Sequence, residues 1–186
     1  MPPEQALKFS LLEDSFPPFA DLKGAFEAAG YGLSKKDTRQ QHDRYYDDAE
    51  RSLKQQGLVL RRRTVNAQTL VTLKRHDAED DVTENAEVEM ALTDGQWPAS
   101  ISRRVSLVTD PVNLRSVLDI NTHRMQYDVQ KNGLESILLN FDEVSAGYPL
   151  SEQSVHFNNA ALEAVTADTE TLQDVADLLD SIIRLS

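Results

Sequence analysis

The chain has 186 residues, of which 40% are hydrophobic and 27% are charged, and its formal net charge at pH 7 is −12. This composition fits one globular domain over residues 1–186, and the acidic excess argues against a wide nucleic-acid interface or an anionic membrane as partner. The absence of cysteine excludes disulfides, thiolate metal sites and cysteine nucleophiles, and no apolar run approaches the roughly 20 residues of a membrane helix. We therefore expect a cytoplasmic protein.

The first half of the chain predicts strands interrupted by short helices. Alternating apolar and polar residues predict a strand, a second strand, a two-stranded hairpin and a further strand, at residues 5–12, 39–48, 57–75 and 86–92. Apolar residues at helical spacing predict a helix over 19–30, and a short helical turn is expected at 49–56. The polar stretch 76–85 is predicted to be a loop.

The second half of the chain predicts three further strands and a terminal helix. A short helix is expected at 112–119, after a proline. The strands are expected at residues 123–130, 133–144 and 161–168, with a tight turn at 131–133 between the first two. Thr171 and Asp174 predict a capping pair at the start of a helix with one apolar stripe. About eight strands in mostly hairpin order favour an antiparallel barrel or sandwich.

Positive charge is concentrated in one segment of this acidic chain. Residues 35–75 hold eleven of the nineteen Lys and Arg and only five of the thirty-one Asp and Glu, so the segment carries +6 and the remainder −18. A local basic region in an acidic protein favours a small, highly charged anion bound in a confined place. A solvated arginine face is the plainer alternative.

Strand alternation separates the basic residues of the hairpin into two sets. Arg61 and Arg63 share one face, and Lys74 of the returning strand lies with them, whereas Leu60 and Leu73 occupy the opposite face. The apolar face must be covered, so the basic set is expected on the reverse face. That face is the lumen if the sheet closes into a barrel, and the exposed side of a one-sided sheet if it does not.

Other predicted strands place carboxylates on their polar faces. Glu87 and Glu89 share a face, Asp142 lies with Asn140, and Glu163 lies with Ala161. Arginine binds phosphate oxygens with two parallel hydrogen bonds, and carboxylates bind Mg²⁺ together with the phosphate itself. Basic residues and carboxylates on one face therefore predict a polyphosphate site with a divalent cation. The chain has no phosphate-binding glycine motif that could serve instead.

The order of these motifs resembles the CYTH family, the triphosphate tunnel metalloenzymes, over nearly the whole chain. The matching segments, in order, are Glu4 to Lys8, residues 45–63 (YYDDAERSLKQQGLVLRRR), residues 72–74 (TLK), residues 87–89 (EVE), Arg124, residues 141–147 (FDEVSAG) and residues 161–163 (ALE). The family includes inorganic triphosphatases, thiamine triphosphatases and class IV adenylate cyclases.

The resemblance implies an α+β fold, an eight-stranded antiparallel barrel with flanking helices whose lumen binds a small-molecule triphosphate with Mg²⁺ or Mn²⁺. The residues that it implies as phosphate ligands are Lys8, Arg61, Arg63, Lys74 and Arg124. Those implied as metal ligands are Glu4, Asp142 and Glu163, and either Glu87 or Glu89 is the general-base candidate. The implied activity is metal-dependent hydrolysis of a triphosphate, by in-line attack of water without a covalent nucleophile.

The chain departs from the family pattern at two positions where glutamate is expected. Ala6 stands in the opening strand and Ala161 in the last one, so each removes a carboxylate from the implied site. A non-catalytic polyphosphate-binding module is therefore the main alternative, and an adenylate cyclase of the same fold is another. Residues 154–160 could also form the last strand, with His156 and Asn158 at the glutamate positions. The oligomeric state is left open.

Overall fold

A computed structural model describes residues 6–12, 15–75, 88–92, 95–149, 151 and 153–185. The strands are β1 (Ala6–Ser10), β2 (Tyr31–Asp47), β3 (Leu58–Val65), β4 (Gln68–Arg75), β5 (Val88–Ala91), β6 (Arg115–Lys131), β7 (Glu135–Gly147) and β8 (Ser154–Ala164). The helices are α1 (Phe19–Ala28), α2 (Ser52–Gln55), α3 (Ala99–Val105) and α4 (Thr169–Ile182), with one 3₁₀ turn at Pro111–Asn113. Among the described residues, no helix has the length and apolar character needed to cross a membrane.

The eight strands form one sheet in the order β1-β8-β7-β6-β2-β3-β4-β5. The pairs β1–β8, β2–β3, β3–β4 and β4–β5 are antiparallel. Most strands that are neighbours in the sheet are also consecutive in the chain, as hairpin connections require. The first strand, β1, lies beside the last, β8. The predicted α+β class with an eight-stranded antiparallel sheet and flanking helices is confirmed.

The chain divides into two compact units, each with its own core. Unit 1 comprises Met1–Arg39, Thr122–Val144 and His156–Ser186, and unit 2 comprises Gln40–Asn121 and Ser145–Val155. The long strands β2, β6, β7 and β8 therefore contribute residues to both units. The prediction of one domain over residues 1–186 stays a prediction.

The core of unit 1 lies between its two helices and the sheet. Leu22 and Phe26 of α1 and Val175 and Leu179 of α4 are fully buried, and they pack with apolar strand residues such as Phe141. Burial of a side chain of this size contributes about 1.5–3 kcal/mol. The predicted apolar stripe on the terminal helix is confirmed, because it is the face that the core covers.

The start of α4 differs from the prediction. The cap is Asp168, whose carboxylate accepts a hydrogen bond from the Thr171 backbone N–H at 2.8 Å, so the predicted Thr171 and Asp174 capping pair is wrong. The Thr171 hydroxyl instead donates to Glu135 at 3.1 Å. The hydrogen bond from the Thr171 backbone holds the pKa of Asp168 below its ordinary value.

Asp168→Ala is expected to lower the melting temperature by a few degrees, because the Thr171 N–H at the start of α4 loses its acceptor. The pKa of Asp168 is lower in the folded protein than in the unfolded chain. The stabilisation by its carboxylate is therefore fully present above the ordinary Asp pKa of about 4, and it is lost as the pH falls through the lowered pKa. Melting curves of wild type and variant between pH 7 and pH 2 measure both effects. Asp168→Asn, which keeps an acceptor but does not titrate, is the control; a constant difference between wild type and Asp168→Asn over that range would contradict the pH assignment.

The core of unit 2 lies on the face of the β3–β4 hairpin that the sequence predicted. Leu60, Val71 and Leu73 are buried there against Leu53 of α2 and Ile101 of α3. Asn66 turns the hairpin with a φ of 55°, a left-handed conformation that asparagine tolerates. Helix α3 was not predicted, because its seven residues follow turn-forming residues and are too few to show a clear helical period.

Three predicted boundaries are corrected. The helix expected at 112–119 is only the 3₁₀ turn, and β6 starts at Arg115, because pairing along a 17-residue strand outweighs the local helical pattern. Strand β2 starts at Tyr31, well before residue 39. Strand β8 contains all of the alternative segment 154–160 but only the first four residues of the predicted segment 161–168. Its register with β1 is made by residues 159–163, so His156 and Asn158 lie outside that pairing. The loop predicted at 76–85 lies outside the described residues.

Two adjacent aspartates hold the connection between β2 and β3. Asp47 accepts hydrogen bonds from the backbone N–H groups of Leu53 and Lys54 at 3.0 and 3.2 Å, and Asp48 accepts from that of Ser52 at 2.9 Å. Hydrogen bonds from Ser52 hold the pKa of Asp48 well below its ordinary value. The turn is therefore fixed where the chain enters β3, the arginine strand.

Candidate functional site

Unit 1 contains a cavity of about 570 Å³ that collects four of the predicted site residues. Lys8 of β1, Arg124 of β6, Asp142 of β7 and Glu163 of β8 all line it. These residues come from parts of the chain more than 100 positions apart, and the strand order brings them to one face. The predicted Glu4 lies outside the described residues.

Arg124 and Asp142 form a two-pronged ion pair in this cavity. Arg124 Nε and Nη2 each donate to one oxygen of Asp142, both at 2.7 Å. The side chains are 29% and 14% exposed, so the pair is only partly solvated. A predicted phosphate ligand and a predicted metal ligand thus hold each other, and this charge-assisted geometry fixes both.

The Glu163 carboxylate is held by amides that the sequence reasoning did not assign. Asn140 Nδ2 donates to Glu163 Oε1 at 3.1 Å, and Gln126 Nε2 donates to Asn140 Oδ1 at 2.8 Å. Both amides are buried. The available signal was an asparagine between the apolar residues Leu139 and Phe141.

The two alanines at expected glutamate positions lie beside charged residues of the same cavity. In the β1–β8 register, Ala6 is paired with Glu163 and Ala161 is paired with Lys8. Directly opposed side chains on antiparallel strands are near neighbours. Each alanine therefore removes a carboxylate from the immediate surroundings of one charged group.

In unit 2, Arg61 and Glu89 lie in one row across three strands. Arg61 is paired with Thr72, and Thr72 with Glu89, in the strand registers. Arg61 Nη2 donates to Thr72 Oγ1 at 3.4 Å, and Thr72 Oγ1 donates to Glu89 Oε2 at 3.2 Å. Lys74 is paired with Val59, two positions along β3 from Arg61, which places it on the same face as Arg61. The predicted Glu87 lies outside the described residues.

Arg63 is joined to a buried acid of the neighbouring strand. Its Nε and Nη2 donate to the two oxygens of Asp43 at 2.7 and 2.9 Å, and Gln41 donates to the same carboxylate at 2.8 Å. Asp43 is only 4% exposed. Part of the Arg63 charge is thus compensated inside unit 2, which the sequence reasoning missed.

Arg62, between Arg61 and Arg63 in β3, belongs to the opposite face. The Arg62 guanidinium lies 4.0 Å from the centre of the Trp97 ring and 5.1 Å from that of Tyr46, and it donates to the Gly95 carbonyl at 3.1 Å. Contacts of a guanidinium with two aromatic faces contribute about 0.5–2 kcal/mol. Arg62 therefore packs over the unit 2 core, and it lies away from the row of Arg61.

The donor set in unit 1 fits a cation that is shared with a phosphate ligand. Among the described residues, no group of three or more His, Cys, Asp or Glu could hold a metal ion. Asp142 and Glu163 nevertheless line one cavity with two basic residues. Mg²⁺ commonly takes one or two carboxylates, several waters and substrate phosphates, and such an arrangement does not need a complete protein cage.

Fold and side chains together define an α+β protein with a charged face on an eight-stranded antiparallel sheet. A family model for the CYTH domain matches residues 16–186, and the chain belongs to that family. The family resemblance predicted from the motifs is confirmed.

The fold is shared with a solved structure of low sequence identity. A candidate adenylyl cyclase from Hippeastrum, described as having a dominant triphosphatase activity, is 15% identical with a TM-score of 0.52, and the match covers 96% of this chain and 86% of that one. A candidate adenylate cyclase from Bacillus halodurans is 16% identical with a TM-score of 0.48, covering 96% and 88%. The comparison with curated proteins found no significant match.

Proposed function

We propose that the chain is a metal-dependent hydrolase of a triphosphate-containing substrate, either inorganic triphosphate or a small organic triphosphate. The observation that carries the proposal is the unit 1 cavity, where Lys8 and Arg124 line the same space as Asp142 and Glu163. The two basic side chains suit the oxygens of a phosphate chain, and the two carboxylates suit the divalent cation that accompanies it. Membership of the CYTH family supports the same reading.

In this proposal the residues of unit 1 bind and orient the phosphate groups. Lys8 supplies a point charge, and Arg124 supplies N–H groups whose direction Asp142 fixes. Glu163 and Asp142 would hold Mg²⁺ or Mn²⁺, which when bound neutralises charge on the phosphate oxygens. A preorganised charged cavity of this kind stabilises the charge that develops on leaving phosphates.

For unit 2, taken by itself, we propose Arg61, Arg63 and Lys74 as phosphate ligands, with Glu89 or Glu87 as the general base. Arg61 is the best placed of the three for a ligand, since the one side-chain hydrogen bond that it makes within the described part of the chain is the long one to Thr72. Glu89 accepts a hydrogen bond from Thr72 through one oxygen, which orients its carboxylate. An in-line attack by water needs such an acceptor and no covalent nucleophile.

Phosphate release from tripolyphosphate, thiamine triphosphate and ATP, each with Mg²⁺ or Mn²⁺, tests the proposal. We expect cation-dependent release from at least one substrate, abolished by a chelator and retained in Arg62→Met, the matched arginine variant on the opposite face. Formation of cyclic AMP from ATP would instead indicate a cyclase. Tight binding without turnover under every cation would reject the hydrolase.

A non-catalytic triphosphate-binding module is the second candidate, favoured by Ala6 and Ala161. Each stands beside a charged group of the cavity where the family pattern has glutamate. Fewer carboxylates weaken the hold on a cation more than the hold on phosphate, because the basic residues are retained. Binding of tripolyphosphate that is indifferent to Mg²⁺ would support this candidate.

Ala6→Glu is expected to raise the affinity for Mn²⁺ about tenfold, because it adds a carboxylate opposite Glu163 in the register. Calorimetric titration of the variant and the wild type with Mn²⁺ measures the change. Ala28→Glu, the same substitution at an exposed position of α1 that does not line the cavity, adds the same charge and serves as the control. An equal gain in both variants would mean that net charge, not position, is responsible.

A further inference from the structure

A chain of buried amides ends on the Glu163 carboxylate in the unit 1 cavity. Gln126 donates to Asn140, and Asn140 donates to Glu163 Oε1. Gln126 is 7% exposed and Asn140 1% exposed. Buried amides cost free energy unless they are hydrogen-bonded, so this chain strongly favours the arrangement that satisfies all three side chains.

The Glu163 carboxylate fixes the direction of both hydrogen bonds between these side chains. A carboxylate accepts hydrogen bonds, so Asn140 turns its Nδ2 toward Glu163, and its oxygen then faces Gln126 Nε2. If the Asn140 amide were rotated by half a turn, oxygen would face oxygen at Glu163 and nitrogen would face nitrogen at Gln126. Gln126 therefore holds Asn140 in the orientation that serves Glu163.

Among the residues of β1 that the structure describes, none donates a hydrogen bond to the side chain of Glu163. Its register partner is Ala6, whose methyl group neither donates nor accepts a hydrogen bond. The bond from Asn140 comes from β7, on the other side of β8 in the sheet. Orientation of Glu163 thus depends on the amide chain.

We propose that Asn140, oriented by Gln126, is a positioning residue that holds one oxygen of Glu163 and leaves the other for a divalent cation. This inference rests on the proposed function, because the cation is the one that accompanies the triphosphate. Partners that hold a metal ligand through a hydrogen bond typically change metal affinity 10–100-fold when they are removed. The amide chain would therefore set cation affinity although it contacts no cation.

Electron paramagnetic resonance titration with Mn²⁺, alone and with inorganic pyrophosphate, tests the inference without measuring activity. Asn140→Leu keeps the approximate volume and is expected to raise the Mn²⁺ dissociation constant about 10–100-fold. Gln126→Met keeps the Asn140–Glu163 bond but removes the hydrogen bond that supports the Asn140 side-chain carbonyl, so a smaller increase is expected. The Gln126 variant also keeps the test valid if Asn140→Leu does not fold.

Thr171→Val is the matched control. It removes a buried side-chain donor to a carboxylate, Glu135, in the same unit but outside the cavity, and Mn²⁺ affinity should stay unchanged. Native Mn²⁺ binding with unchanged affinity in both amide variants would overturn the positioning role and leave the proposed function standing. If the wild-type protein binds no Mn²⁺ under either condition, the cation site of the proposed function fails and the positioning role is overturned with it.

Discussion

Arg124→Met is expected to lower triphosphate hydrolysis at least about 100-fold and the free energy of unfolding by about 2 kcal/mol. The first effect follows from loss of the N–H groups proposed to bind phosphate. The second follows because Asp142, with both oxygens bonded to Arg124 and only 14% of its side chain exposed, would be left without its partner. Steady-state kinetics and urea denaturation measure the two effects separately.

The double variant Arg124→Met/Asp142→Asn separates the structural from the functional contribution of the ion pair. Removing both charges also removes the uncompensated carboxylate, so most of the lost stability should return. Activity should stay low, because neither the phosphate-binding fork nor the carboxylate is restored. Recovery of activity together with stability would show that Arg124 serves the fold alone.

Arg63→Met is expected to lower the free energy of unfolding by about 3 kcal/mol, the largest stability effect among the predicted site residues. Its two bonds to Asp43 would be lost, and that carboxylate, 4% exposed, would keep only the hydrogen bond from Gln41. Urea denaturation of the variant gives the change. Arg63→Met/Asp43→Asn should recover most of it.

Arg61→Met is the matched control for the neighbouring arginine of the same face. Among the described residues, the one side-chain hydrogen bond of Arg61 is long, at 3.4 Å to Thr72, so a loss of no more than about 1 kcal/mol is expected. Binding of tripolyphosphate, measured by calorimetry, should weaken in Arg61→Met although the protein stays folded. Equal destabilisation by the two substitutions would contradict the structural role assigned to Asp43.

The residues of the hairpin show how far local pattern reaches. The split of Arg61 from Arg62 was predictable because side chains of a strand alternate, and the structure places Arg62 against Trp97 on the core face. Helix α3 was not predictable from the same kind of pattern, since one and a half to two turns give too few apolar repeats. The cap of α4 was misassigned because several acidic and hydroxyl residues near Asp168 fit a cap equally well.

The sequence by itself determined the family, the strand class and the face on which Arg61 and Lys74 lie, because alternation and motif order are properties of neighbouring residues. Only the tertiary structure decided the partners: Asp43 for Arg63, Asp142 for Arg124, and Asn140 for Glu163. Each pair joins two strands, and its members are 18 to 23 positions apart in the chain. Such contacts depend on strand register, which is set by turns and by burial of the whole sheet and cannot be read from either strand alone.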